Sequence, residues 1–305
     1  MSKLRLAKAI FLIEDGEIAP ALTILQQEVA FAKRMLQGNS YMIDALIAVR
    51  KLLTIYHVIA ELMDKPQFAF HLNQPYLIDL LQPFSLEEQT NLLSTLIKNE
   101  RNFAFINLYL TSPTVFIMDT TKLAKWYISP NAELIKQAFH RCLPLNYNAE
   151  ASMNSYYKYF EDIFQLVNKT PQEFANVYKQ NEFHYQAMPN IKKLYERYGD
   201  ANLLGGILPE APGIVGGMPF YIASIYDMHS YLSLVNVKLQ IKLAAINKLQ
   251  VEDWLAQQED IINQFPLIEP IKWDSSKQCL TTEWIANDKY PLLGEKTTIH
   301  INFES

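Results

Sequence analysis

Glycine is scarce in this chain, with nine in 305 residues, and six of the nine fall between Gly199 and Gly217. The stretch reads YGDANLLGGILPEAPGIVGGMP and matches neither a P-loop, which needs GK[ST], nor a dinucleotide fingerprint. Cysteine is limited to Cys142 and Cys279, so a disulfide framework is excluded; one bridge in an oxidising compartment and two buried free thiols both fit. Arginine, the preferred bidentate reader of phosphate, occurs six times only, and no Lys/Arg run builds a nucleic-acid footprint on a chain of net charge −5. No apolar run reaches the ~20 residues of a bilayer helix. The longest, GIVGGMPFYIASIY, is short and interrupted by glycine. The first residues carry a basic SKLRLAK, but the apolar AIFLI that follows runs straight into Glu14 and Asp15, too soon for a signal-peptide core.

What the chain does have is apolar mass. Half its residues are hydrophobic and 12% are aromatic, enough to exclude wholesale disorder and to need no metal or disulfide for a core. The dominant pattern is helical. Leu4, Ala7, Ile10 and Phe11, then Leu22, Leu25 and Val29, recur at spacings of three and four, with Asp15-Gly16 breaking the two runs into a helical hairpin. Its glycine offset resembles one tetratricopeptide unit, but no second copy follows at the 34-residue period. Gly38-Asn39 ends the second helix, and a third is predicted from about Tyr41 to Met63. Pro66, Pro75 and Pro83 surround a short apolar piece, PYLIDLL. Ser85-Leu86-Glu87-Glu88 is a capping box, and Ser129-Pro130 and Thr170-Pro171-Gln172-Glu173 are further helix starts. Tyr156, Tyr157, Tyr159, Phe160 and Phe164 mark an aromatic helix face, and a long helix is predicted from Pro219 to about Lys248. The tail differs: IKW-DSSK-QCLT predicts two strands around a polar turn, and Ile299, Ile301 and Phe303 alternate on one face. The expectation is a mainly α fold, an irregular multi-helical domain of αα-hairpins over residues 1–265. A small C-terminal β-meander, 266–305, packs on it.

Chemistry is hard to place on this pattern. No HExxH or ExxH occurs and no histidine cluster has metal-ligand spacing, so no metal and no cofactor is expected. Asp227-x-His229 is the nearest acid–histidine pair, yet residues two apart on a helix point away from each other. Cys142, in AFHRCLPL, lies beside His140 and Arg141, which can lower a thiol's pKa, but without papain- or caspase-type context. Glu87, Glu88 and Glu100 share one predicted helix. Glu88 and Glu100 are twelve residues apart, roughly 18 Å at 1.5 Å per residue, too far for a glycosidase pair. The candidate binding or hinge positions are therefore Gly205, Gly206, Gly216 and Gly217, with Asp227 and His229 beyond them.

Several stretches resemble a group of uncharacterised proteobacterial proteins, membrane-anchored helical proteins of the cell envelope. They are EDGEIAPALTILQQEVAFAKRMLQGNSYMIDALIAV, YLIDLLQPFSLEEQ, LIKNERNF, YDMHSYLSLVNVKLQIKLAA and FPLIEPIKWDSSKQCLTTEW. In that group a signal anchor and a further helical segment precede the aligned part. The resemblance implies a place on the periplasmic side of the inner membrane, with membrane contact only through an anchor missing here; without it, a cytoplasmic place is the alternative. It implies no activity. The expectation is a non-catalytic cell-envelope scaffold or a protein-partner-binding protein, with a protein partner and no nucleic acid. The alternatives are a hydrolase acting on a cell-wall polymer through helix-borne carboxylates, or an apolar small-ligand binder using the 199–217 segment.

Overall fold

The computed structural model describes residues 2–38, 41–110, 149–180, 217–258, 267–286 and 298–303. The protein is mainly helical, with a three-stranded antiparallel sheet near its C-terminus. Among the described residues no helix is long and apolar enough to cross a membrane. The chain forms two compact units, residues 1–96, 167–181 and 220–305 in the first and 97–166 and 182–219 in the second. The C-terminal sheet thus belongs with the N-terminal helices.

In the first unit, α1 (Ser2–Glu14) and α2 (Ile18–Gln37) form the expected hairpin. Gly16 turns it at φ 83°, with Glu17 N–H bonded to Leu12 O at 2.7 Å and Gly16 N–H to Ile13 O at 3.1 Å. That pair of hydrogen bonds is the Schellman ending, which needs a left-handed residue, here glycine. Gly38 ends α2 for another reason. Its backbone is extended, and a Cβ there would meet Arg34 O at 3.0 Å. α3 (Met42–Leu62) packs along α2. Buried Glu28 on α2 ties the three together, accepting from Arg5 Nε at 3.1 Å and Lys51 Nζ at 2.6 Å. The proline-rich stretch is a 3-10 turn, Pro66–His71, then α4 (Pro75–Leu80), each helix opened by its proline. α5 (Leu86–Leu110) starts on the predicted box: Ser85 N–H donates to Glu88 Oε2 at 2.7 Å, and Glu88 N–H to Ser85 Oγ at 3.2 Å. Thr170 and Glu173 open α7 (Pro171–Gln180) in the same way.

α8 (Gly217–Leu243) is the centre of this unit from Phe220 onward: from Ile222 to Leu239 every side chain is buried. A helix apolar on all sides is a core element, which explains its nearly uniform composition. It ends five residues before the predicted Lys248 because Ala245 takes φ 51°. Ile246 N–H then reaches Ile241 O at 3.1 Å and Ala245 N–H reaches Lys242 O at 3.2 Å. This repeats the ending of α1 with alanine in glycine's place, so the sequence carries no stop signal. After a 3-10 turn at Lys248–Gln250 comes α9 (Val251–Gln257). The sheet pairs β1 (Lys272–Asp274) with β2 (Cys279–Thr281) and β2 with β3 (Thr298–His300), Leu280 lying between Trp273 and Ile299. Asp274 Oδ1 accepts from Ser276 N–H at 3.0 Å and Lys277 N–H at 3.1 Å, shaping the polar turn read from DSSK.

In the second unit the described parts are the latter half of α5, from Ile97, α6 (Ala149–Val167) up to Leu166, and the first three residues of α8. Ile97, Phe160, Ile163 and Leu166 are buried, and the Arg101 guanidinium lies 5.5 Å from the Phe164 ring centre. Of the predicted aromatic face, Phe160 is buried while Tyr157 faces solvent. Ser129-Pro130 lies outside the described residues.

Candidate functional site

α8 carries Ser224, Asp227, His229, Ser230, Ser233, Asn236 and Lys238, all buried in the first unit. Buried polar groups need partners. Ser224 and Ser233 donate back to carbonyls of α8 itself, Lys238 reaches α3 and β3, and Asp227, His229 and Asn236 reach segments that lack regular secondary structure. Two such segments are held.

The first is the bend between α4 and α5, where Pro83 interrupts the backbone. The carbonyls of Leu81 and Phe84 are met by side chains, and backbone oxygens buried without a partner cost free energy. His229 Nε2 sits 2.7 Å from Phe84 O, Gln89 Nε2 donates to the same oxygen at 3.2 Å, and Asn236 Nδ2 donates to Leu81 O at 3.0 Å. A ring nitrogen facing a carbonyl carries the proton, so His229 is the Nε2–H tautomer and its Nδ1 is bare. Nδ1 and Gln89 Oε1 are both buried without a hydrogen-bond partner. Burial pulls His229 down to about 4, against the Phe84 bond and Glu88, so the ring is neutral at physiological pH. Lys33 Nζ lies 5.0 Å from the Phe84 ring centre, and burial lowers its pKa too.

The second is the C-terminal region. Asp227 Oδ1 accepts from Ile285 N–H at 2.7 Å and Oδ2 from Ala286 N–H at 2.9 Å. Desolvation raises the Asp227 carboxyl to about 7, and the two amides pull the other way. Tyr231, one turn on, is hydrogen-bonded to His57 Nδ1 at 2.9 Å and meets Trp284 edge-on, with ring centres 6.0 Å apart. Lys238, 1% exposed, donates to Ala60 O at 2.7 Å, Asp64 Oδ2 at 2.6 Å and His300 O at 2.7 Å. Its three ammonium protons are thereby matched one to one. Burial lowers its pKa, and Asp64 opposes that. Asp64 also pairs with Lys242 at 3.1 Å and accepts from Asn302 N–H at 3.2 Å.

The structure does not bring Asp227 and His229 together: one holds residues 285–286, the other Phe84. Gly217 is the first residue of α8, while Gly205, Gly206 and Gly216 lie outside the described residues. Cys279 is a buried free thiol in β2, its pKa raised by burial; Cys142 lies outside the described residues. Glu88 is engaged as the cap of α5. Among the described residues no group of His, Cys, Asp and Glu could hold a metal ion. Sequence reading missed Lys238 and Asn236. The signal was present: between Asp227 and Lys242 the only other charge is Lys238, and a lone charge in an apolar run needs a buried acceptor.

Another feature is at the surface of the first unit. On α1, Leu4 and Phe11 are 76% and 65% exposed, and on α3, Ile43 and Ile47 are 65% and 55% exposed. Leu4, Ala7 and Phe11 recur at three and four on the side of α1 opposite buried Ala9 and Ile13, and Ile43 and Ile47 are one turn apart. Phe31 on α2 is half exposed beneath Lys51 Nζ, 4.4 Å from its ring centre. Each outer helix thus has apolar residues on its solvent side as well as on its core side. Comparison with known protein families, with curated proteins and with solved structures finds no match for this chain.

Proposed function

We propose that this protein is a non-catalytic scaffold that binds a protein partner through the outer faces of α1 and α3. The observation that carries this reading is the exposure of Leu4, Phe11, Ile43 and Ile47 on two regular helices. Large apolar side chains repeated along a solvent-facing helix surface mark interaction sites. The perturbed buried groups support the same reading from the other side. Asp227, His229 and Lys238 are engaged by backbone of their own chain, which is what a structural role requires. The envelope location follows from the sequence resemblance alone and belongs to the same proposal, on the periplasmic side of the inner membrane.

The test is a variant with Leu4, Phe11, Ile43 and Ile47 all changed to Glu. These side chains do not contribute to the core, so the far-ultraviolet spectrum should stay the same and the melting temperature within a few degrees. Quantitative co-purification at native expression should recover a stoichiometric partner with the wild type and lose it with the variant. Equal recovery by both proteins would refute this face as the binding surface. Fractionation of the native host with protease protection of spheroplasts tests the location.

A further inference from the structure

The residues from Thr282 to Ala286 follow β2 and have no strand partner. Four side-chain contacts hold them: Thr282 Oγ1 on Glu269 O at 3.0 Å, Trp284 against Tyr231, the Glu283 carboxylate on Lys179 Nζ at 2.7 Å, and the Asp227 carboxylate on two consecutive amides. The Glu283 and Lys179 side chains are half exposed to solvent, so Asp227 is the only carboxyl among the buried anchors. Each of its oxygens accepts one neutral N–H, and no cation pairs with it among the described residues. Its ionised form is therefore buried with only two dipoles to replace its water, an arrangement that favours the neutral acid. A neutral carboxyl still accepts both amides, through its carbonyl oxygen and a lone pair of its hydroxyl.

We propose that Asp227 is a proton-operated latch for the Thr282–Ala286 segment, which is seated firmly on α8 in mildly acidic solution and loosens in mildly alkaline solution. When the segment lifts, the carboxyl meets water and ionises freely. Every rise in pH therefore favours the lifted state until the seated carboxyl ionises too. Burial raises the seated carboxyl to about 7, so the response builds through mildly acidic pH and levels off above neutrality. The other groups facing this region do not give the same response. Tyr178 on α7 is a phenol, which burial and Asp227 push further up. Lys179 and Glu283 pair with each other at 2.7 Å at the surface. His57 bonds Tyr231, whose ring meets Trp284 of the segment.

The test is amide hydrogen exchange on the full chain from pH 5.5 to 8.5, expressed as protection factors so that the intrinsic pH dependence is removed. A carboxyl moving from about 7 seated to ~3.8 in water predicts a fall of about 30-fold in protection at Ile285 and Ala286 over that range. α3 amides serve as the internal reference. Asp227→Asn should remove the slope, and His57→Gln should leave it in place. A wild-type profile that is flat or rises with pH overturns the proposal, as does a His57→Gln profile that has lost its slope. Should Asp227→Asn not fold, the carboxyl 13C shift of Asp227 in the wild type decides: a midpoint near 7 supports the latch, and one below 5 overturns it.

Discussion

Replacing Lys238 by methionine tests whether the α8 polar residues hold the fold together. Methionine fills the volume of the lysine stem, so the change removes an ammonium and opens little cavity. Three acceptors lose their donor at once: Ala60 O, Asp64 Oδ2 and His300 O. Ala60 lies in the last turn of α3, where carbonyls have no partner within the helix, so Lys238 acts as its C-terminal cap. Removing one partner of a buried pair costs about 3–5 kcal/mol. Asp64 lowers the figure, because its carboxylate is 21% exposed and keeps Lys242 and the Asn302 amide. The two stranded carbonyls raise it by about 1–3 kcal/mol each where water cannot reach them. The expected loss is therefore at least about 3 kcal/mol. Native-state hydrogen exchange measures it in the unit concerned: the opening free energy of the Leu232–Leu239 amides should fall by that amount, and β3 protection should fall with it. A loss under about 1 kcal/mol with β3 unchanged would refute the claim that this ammonium joins α3, α8 and β3.

The His229 ring sits at about 4 in the fold against an ordinary 6.5, so the unfolded chain takes up a proton first and stability is lost as pH falls from 6.5 toward 4. His229→Gln removes that loss, worth about 3 kcal/mol at most. The variant's unfolding midpoint should then rise relative to wild type as pH drops through this window; parallel curves would contradict the assignment. Ser85→Ala deletes the acceptor of the Glu88 amide at the start of α5 and should cost about 1 kcal/mol, read from the shift in urea midpoint. Ala245→Gly should stabilise by about 0.5–1 kcal/mol, since the position is left-handed at φ 51°. A destabilised Ala245→Gly variant would show that the Schellman ending of α8 is not strained.

Much of the helical layout was legible because its signals are local. The α1–α2 hairpin rests on Asp15-Gly16, and the starts of α5 and α7 rest on Ser85/Glu88 and Thr170/Glu173. In each case the residue that specifies the structure lies within three positions of the bond it makes. The end of α8 was not legible, because Ala245 adopts the left-handed conformation without the glycine that usually announces it. The two glycine positions near the first hairpin also differ in cause. Gly16 is needed for its φ, and Gly38 for the approach of Arg34 O. A sequence shows two glycines and no distinction between them.

By itself the sequence determined the helical class, the hairpins, the caps and the strand pair around DSSK, all consequences of short-range periodicity and side-chain-to-backbone bonds. It also determined that Asp227 and His229 would not act as a pair, since helical geometry separates residues two apart. The tertiary structure alone decided what each of them holds. Lys238 finds Ala60, Asp64 and His300 at sequence separations of 178, 174 and 62, and Asp227 finds Ile285 at 58. No local pattern encodes such partners. They are fixed by which backbone groups are left unsatisfied once the helices have packed, and a buried carbonyl or amide accepts whichever polar side chain the central helix presents to it.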